Sequence, residues 1–142
     1  MRKQMKWIYI IMCCVLSACS KAPINRNIEG HWRVDSIERE DGSVEYHQNM
    51  FYTLKLWVVE VADKSEEKRK KALIGRLEFV DDHTLKMYDF KVRTGAGDNK
   101  TDATAEELHY YGLLKHNVVE VVSSGRKLEL RQGATRIRLT RF

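Results

Sequence analysis

Cysteine and proline are almost missing from this chain. Its 142 residues hold three cysteines, Cys13, Cys14 and Cys19, and one proline, Pro23. The sequence has no thiol after Cys19, which excludes a disulfide, a cysteine-ligated metal site and a cysteine nucleophile from that part of the chain. Proline interrupts the hydrogen-bond ladder of a sheet, so its absence after Pro23 is compatible with long continuous strands.

A large excess of one charge is also lacking once the first eighteen residues are set aside. Three of the 25 basic side chains, Arg2, Lys3 and Lys6, lie there, which leaves 22 basic against 20 acidic groups. A nearly balanced surface does not attract polyanions over its whole area. We therefore expect no nucleic-acid partner.

The first residues have the pattern of a bacterial export signal. Their basic start precedes an apolar stretch from Trp7 to Leu16, which is too short for a permanent membrane helix. The stretch leads into Leu16-Ser17-Ala18-Cys19, which resembles the lipobox of bacterial lipoproteins. That resemblance implies a signal peptide over 1–18 and a lipidated tether over 19–27. The alternative is a plain secretory signal with an ordinary thiol at Cys19.

Lipidation of Cys19 would decide where the protein resides. By the resemblance, this residue carries a thioether-linked diacylglycerol and an acylated amine, and several acyl chains anchor a protein stably. The expected location is the cell envelope, with the membrane contacted through the N-terminal lipid. Ser20 stands where an aspartate would indicate inner-membrane retention by resemblance to enterobacterial sorting, so we expect the outer membrane.

Residues 28–142 show the alternation of half-buried strands. Thr104 and Glu107 resemble a capping box that opens one short helix. The pattern predicts an all-β domain over 28–142. It favours an antiparallel up-and-down barrel of about eight strands, with at most one short helix, over a sandwich, although strands joined in chain order by short turns occur in both. The expected strands are His31 to Glu38, Met50 to Val61, Leu73 to Val80, Leu85 to Arg93, Val118 to Val122, Lys127 to Arg131 and Thr135 to Phe142.

Strict alternation assigns side chains to the two faces of the sheet. Within the run Met50 to Val61, it places Trp57 and Val59 on the face opposite Leu54, as an outward apolar patch. Bulky groups face inward, which predicts either a filled interior or a narrow apolar slot. The candidate ligand-binding residues are Tyr52, Leu54, Leu56, Phe79, Tyr88 and Phe90.

Two residues far apart in the chain are candidates for closing the barrel. Gly30-His31-Trp32 resembles the Gly-x-Trp signature of lipocalins, and Arg141 shares a strand face with Leu139. If Leu139 points inward, Arg141 does too and lies over the Trp32 ring, as the closing arginine does in lipocalins. Such a stacked pair contributes about 1 to 2 kcal/mol. The alternative is an ordinary core tryptophan and a solvated arginine.

The chain as a whole resembles the small lipocalin-like lipoproteins of Gram-negative anaerobes. The motifs that carry this resemblance are 30–36, 51–56, 110–113 and 137–142, all of them core and turn positions. The chain departs from the family in its lysine-rich insert at 68–71. Because most family members have no assigned activity, the resemblance implies a fold and no catalytic residues.

Catalytic and metal-binding patterns are missing. The five histidines have no ligand spacing, and Asp81-Asp82-His83-Thr84 reads as a hairpin turn. We expect no enzyme, cofactor or metal, although a zinc site assembled from distant strands stays open. The run Lys68-Arg69-Lys70-Lys71 is typical of a solvated loop or the tip of a short helix, with lipid headgroups or acidic glycans as the alternative partner.

Two classes of function follow. The first is a lipid-anchored envelope protein that binds a small apolar or amphiphilic ligand in or near the barrel. The second is a non-enzymatic interaction module that docks another envelope protein through Trp57 and Val59. The sequence leaves the choice between them open.

Overall fold

The computed structural model describes residues 28–65, 70–94 and 99–142, and these form nine strands and one short helix. The predicted signal peptide, Cys19 and the tether lie outside the described residues. Within the described ranges, no helix is long and apolar enough to cross a membrane. The elements are β1 (Gly30–Glu38), β2 (Val44–Tyr46), β3 (Met50–Lys55), β4 (Val58–Asp63), β5 (Leu73–Asp81), β6 (Thr84–Val92), α1 (Ala105–Tyr110), β7 (His116–Ser124), β8 (Lys127–Gln132) and β9 (Thr135–Arg141).

Eight of these strands close into an antiparallel barrel. Each strand from β3 to β8 pairs with the strand that follows it in the chain. The ring is closed by β1, which pairs with β3 on one side and with β9 on the other. The short strand β2 pairs only with the far half of β1, so it lies outside the closed ring. This architecture confirms the predicted barrel with one short helix. The extra strand β2 has three exposed residues and therefore no alternating pattern to predict it.

The barrel has two ends of different construction. We call one end the base: it carries Ile28, the β3–β4 turn at Leu56-Trp57, the β5–β6 turn at Asp82-His83 and the β7–β8 turn. We call the other end the mouth, and it carries the long connections between strands and α1. The predicted hairpin at Asp81 to Thr84 is therefore confirmed as a base turn.

The interior is packed with apolar side chains. Within the described residues, 24 apolar side chains are at most 6% exposed, and they form one continuous cluster. Full burial of one large aliphatic or aromatic side chain stabilises the fold by about 1.5 to 3 kcal/mol. The cluster also includes residues of α1 and its neighbours at the mouth, so the packed interior extends to the segment that covers the mouth.

One predicted strand is in fact two. The run Met50 to Val61 breaks at Lys55, and the two-residue turn Leu56-Trp57 connects β3 to β4. Every residue after the turn changes face, so Val59 is fully buried and Leu56 is 43% exposed. The prediction that Leu56 points inward was wrong, as was the outward position of Val59. The sequence carries no warning, because such turns are usually made by Asn-Gly or Asp-Gly.

A bulge in β6 overturns a second assignment. Tyr88 and Phe90 were expected on one face, but Phe90 is 5% exposed in the core while Tyr88 faces outward, with its hydroxyl donating to Glu78 Oε2 at 3.4 Å. The β5–β6 register shifts between Ile74 and Arg76, and Asp89 in the bulge has a φ of 54°. The extra residue reverses the alternation. Tyr88 is therefore not an interior ligand-binding residue.

Candidate functional site

The base of the barrel is sealed by the pair that the sequence predicts. The Arg141 Cζ lies 4.4 Å from the centroid of the Trp32 ring, and Nη1 of Arg141 donates to the Glu29 carbonyl at 2.9 Å. The Trp32 ring is 1% exposed, and its Nε1 donates to the Ile28 carbonyl at 2.8 Å. The contact expected between Arg141 and Trp32 is therefore present.

Gly30 makes this closure sterically feasible. Its φ is 133°, a backbone conformation that other residues rarely adopt, and a Cβ at this position would lie 2.9 Å from Arg141 Nη1. The guanidinium therefore occupies the space where a side chain would be. Arg141 and Trp32 together cover the base of the barrel.

The mouth is covered by α1 and the residues that follow it. Thr104 Oγ1 accepts from the Glu107 amide at 3.1 Å, and Glu107 Oε1 accepts from the Thr104 amide at 3.0 Å, so the predicted capping box is present. The backbone N–H of Thr104 is the main reason that the pKa of Glu107 lies below its usual value. Leu108 is buried, and so are Tyr111 and Leu113. These three side chains occupy the mouth.

Two tyrosines join this cover to the barrel. The Tyr52 hydroxyl, inside the barrel, donates to the carbonyl of Tyr111. The Tyr111 hydroxyl donates to the Lys71 carbonyl at 2.8 Å. Burial raises the pKa of both hydroxyls, that of Tyr111 to about 12, so both stay protonated and act as donors. The Tyr52 hydroxyl is thus a fully buried polar group that contacts the cover.

Polar side chains hold the edges of the cover. Arg39 Nη1 donates to the His109 carbonyl at 2.5 Å and its Nη2 lies 3.0 Å from Glu45 Oε2. The Tyr110 hydroxyl donates to Asp63. Asn117 is 2% exposed and its side chain bonds both backbone groups of Leu114, at 2.7 and 2.6 Å. Hydrogen bonds at the rim therefore add to the apolar packing that holds the cover.

Three surface hollows surround α1 at the mouth. The hollow between α1 and Leu114, about 490 Å³, is lined mostly by apolar groups. A second hollow of about 400 Å³ lies beside Arg39 and His109. A third, of about 410 Å³, is lined by Lys70 and Lys71, by Glu106 and Glu107 of α1, and by Tyr110 and Tyr111. The mouth therefore combines apolar surface with charges of both signs close to the packed interior.

A separate groove of about 630 Å³ runs along the outer wall. It is lined by Trp57 from the base turn and by Tyr88 and Asp89 from the β6 bulge. The Arg76 Nε and Asp89 Oδ2 atoms are 3.3 Å apart, so the charges in the groove are partly paired. Trp57 and Tyr88 thus line this outer groove, whereas Phe90 lies in the interior.

The predicted ligand-binding residues are thus dispersed. Tyr52, Leu54 and Phe90 lie in the interior, whereas Phe79 is partly buried against the core. The sequence interpretation missed Leu108, Tyr111 and Leu113 at the mouth, because the capping box predicts a helix without indicating where it packs. Among the described residues, no three His, Cys, Asp or Glu side chains are placed to hold a metal ion.

The comparisons with known proteins fit this barrel. The family model described as "Lipocalin-like domain" matches residues 14–142. The chain belongs to this lipocalin-like family. A barrel of this kind is consistent with binding a small ligand, and proteins of the family are generally not enzymes. No curated protein matches the chain at a significant level.

Two solved structures have the same lipocalin-like fold. A lipocalin-like protein from Bacteroides uniformis matches with a TM-score of 0.60 and 14% identity, covering 82% of this chain and 99% of that one. An uncharacterised protein from Bacteroides eggerthii matches with a TM-score of 0.57 and 15% identity, covering 80% and 98%. At these identities the likeness shows the fold and carries no ligand with it.

Proposed function

We propose that this lipocalin-like protein is a non-enzymatic envelope protein that binds a small anionic amphiphile at the mouth of its barrel. The observation that carries the proposal is the cover: the mouth is closed by one short segment, with Tyr111 inserted above Tyr52, and not by the strands themselves. A ligand can replace this segment without disturbing the strand pairing. The protein is held at the membrane by lipid on Cys19.

The cover is suited to moving aside. The helix α1 has six residues, and helices shorter than about 12 residues are marginal without tertiary contacts. Its contacts with the interior are mainly the side chains of Leu108, Tyr111 and Leu113. An acyl chain or sterol-like body of similar size supplies equivalent apolar contacts, so the exchange of cover for ligand costs little burial.

The polar groups at the mouth indicate the headgroup. When Tyr111 moves away, the Tyr52 hydroxyl loses its acceptor, and a buried donor without a partner is costly. A carboxylate or phosphate oxygen of the ligand can accept this hydrogen bond. The adjacent hollow is lined by Lys70 and Lys71 and, from α1, by Glu106 and Glu107. When α1 moves away with its two carboxylates, the lysines favour a negative charge there. An anionic amphiphile fits both features better than a neutral one.

Paired ligands test this proposal. Binding of oleate and of oleyl alcohol is measured by native mass spectrometry and by thermal unfolding. The two compounds share one apolar chain, and only oleate carries a negative charge. We expect a 1:1 complex that is tighter for oleate, and a Lys70→Gln/Lys71→Gln variant that loses this difference. Lys86→Gln, on an exposed position of β6, is the matched control and retains it. Absence of any complex with either compound contradicts ligand binding.

The anchor is tested separately. The protein isolated from its own membrane fraction is digested, and the peptide that begins at residue 19 is weighed. A diacylglycerol and an acyl chain on Cys19 are expected, and Cys19→Ser is expected to release the protein from the membrane. An unmodified Cys19 in membrane-associated protein contradicts lipid anchoring.

The filled interior favours a second candidate, a module that docks another envelope protein. In this case the 24 buried side chains are purely structural, and α1 is a fixed part of the fold. The two candidates differ in the ligand experiment: a docking module shows no complex with oleate. Its partner would be captured by cross-linking in intact cells.

A further inference from the structure

The base turn between β3 and β4 has an unusual composition. Its two residues are Leu56, 43% exposed, and Trp57, 59% exposed. Trp57 has a φ of 68°, a conformation that bulky residues rarely adopt and that such turns normally assign to glycine or asparagine. The turn therefore carries backbone strain and presents two large apolar groups to water. Neither feature is needed to connect two strands.

The position of this turn relates it to the start of the barrel. Leu54, just before the turn, pairs with Gly30 at the start of β1, and Ile28 lies at the same end. Nine peptide units separate Ile28 from Cys19, and an extended chain of that length reaches at most about 32 Å. A lipid on Cys19 therefore attaches the barrel to the bilayer through its base, where Ile28 lies.

Other groups at the base suit a membrane surface. Val80, 49% exposed, precedes the β5–β6 turn, and Val122, 38% exposed, lies near the β7–β8 turn. Lys55 adjoins the apolar pair in the chain, and Arg126 lies in the β7–β8 turn. Asp81, the last residue of β5, and Asp82, in the β5–β6 turn, are acidic. The acidic turn makes the base uneven in charge, so the Leu56-Trp57 side is the side that fits an anionic bilayer.

We propose that the Leu56-Trp57 turn inserts into the interfacial layer of the bilayer to which Cys19 is anchored. The inference rests on the proposed lipidation of Cys19 and adds an orientation to it. Tryptophan is enriched at membrane interfaces because its ring is apolar and its N–H is polar. The base then faces the membrane, and the mouth with α1 faces the aqueous compartment from which a ligand arrives.

The natural tryptophans provide the test. Downstream of the predicted signal peptide the chain has two tryptophans, Trp32 and Trp57, and Trp32 is 1% exposed. The protein purified from membranes is reconstituted into phosphatidylethanolamine–phosphatidylglycerol vesicles whose acyl chains carry bromine. We expect the Trp57 emission to fall about twofold and to shift to the blue on reconstitution. A Trp57→Phe variant reports the Trp32 contribution alone and should show no such change.

A second variant separates insertion from anchoring. Leu56→Ser leaves the fluorophore in place and is expected to reduce the bromine quenching without changing the mass of the Cys19 peptide. A lipidated protein whose Trp57 is quenched equally by aqueous acrylamide with and without vesicles overturns the orientation and leaves the anchor intact. An unmodified Cys19 overturns both. If Trp57 cross-links to an envelope protein and its emission is not quenched by bromine, the turn contacts a protein and the proposed insertion into the bilayer is wrong.

Discussion

The hydroxyl of Tyr52 donates a hydrogen bond to the backbone carbonyl of Tyr111, which joins the barrel interior to the segment that closes its mouth. Tyr52 is fully buried on β3, and Tyr111 is 1% exposed at the end of α1. This contact spans 59 residues of sequence. It therefore fixes the position of the cover over the interior, and its loss should affect the cover first.

Removal of this donor is the first prediction. Tyr52→Phe keeps the ring and leaves the Tyr111 carbonyl buried without its partner, which should lower the free energy of unfolding by about 1 to 3 kcal/mol. Urea unfolding measures the change. Tyr46→Phe is the control, because Tyr46 is 82% exposed, and its effect should stay within about 0.5 kcal/mol. If both variants lose the same free energy of unfolding, the hydrogen bond from Tyr52 to Tyr111 contributes no more to stability than an exposed tyrosine hydroxyl does.

The closure of the base gives a second prediction. In Gly30→Ala the new Cβ displaces the Arg141 guanidinium from the Trp32 ring and also strains the backbone, which together should destabilise the fold by about 2 to 4 kcal/mol. Gly42→Ala is a matched control, because Gly42 has a φ of 85° and a Cβ added there would meet no atom within 4 Å. It should suffer the backbone strain alone. Thermal unfolding of the two variants at one pH compares them, and equal losses would contradict a role for the displaced guanidinium.

Packing beside the β6 bulge gives a third prediction. A Cβ on Gly75 would lie 2.7 Å from the Phe90 ring, so Gly75→Ala overpacks the core and should cost about 1 to 3 kcal/mol. The double variant Gly75→Ala/Phe90→Leu relieves the clash. Its destabilisation should therefore be smaller than the sum of the two single changes. Strict additivity in urea unfolding would contradict the close contact.

The ion pair between Arg39 and Glu45 at the rim should make the stability of the fold depend on pH. A hydrogen bond from Arg39 holds the pKa of Glu45 below its usual value in the folded protein. A group with a lowered folded pKa stabilises the fold above its unfolded pKa, and this stabilisation is lost as the pH falls through the folded value. Glu45 is partly exposed, so solvent screening keeps the effect small.

The measurement for Glu45 is thermal unfolding from pH 7 down to pH 3. Glu45→Gln should unfold at a lower temperature than the unchanged protein at pH 7, and the difference should shrink as the pH falls below the ordinary pKa of glutamate. Glu120→Gln, on the outer face of β7, is the control and should follow the unchanged protein throughout. A constant difference between Glu45→Gln and the unchanged protein at every pH would rule out the ion pair as its cause.

Much of the fold could be predicted from the sequence, because alternation reports burial directly. Trp32, Leu54 and Leu139 point inward as the pattern indicates, and the capping box at Thr104 and Glu107 marks the start of α1. The stacking of Arg141 on Trp32 follows from the same parity, applied to β1 and β9. These features depend on local periodicity, which the sequence displays.

The errors arose where the backbone departs from regular geometry. Leu56-Trp57 turns the chain without any of the residues that normally mark a turn, and Asp89 adds one residue to β6. Each departure reverses the side-chain alternation after it, which placed Val59 in the core and put Phe90 on the face opposite Tyr88. The cover at the mouth was missed for another reason, since the packing partner of a short helix is set by contacts distant in sequence.

Amide hydrogen exchange with and without oleate tests the central claim most directly. If a ligand replaces the cover, the amides of residues 105–113 should exchange faster in the complex, while those of the barrel strands exchange more slowly. Oleyl alcohol should produce a smaller change at equal concentration. Unchanged or slower exchange over 105–113 in a protein saturated with oleate would contradict the replacement of the cover by a ligand.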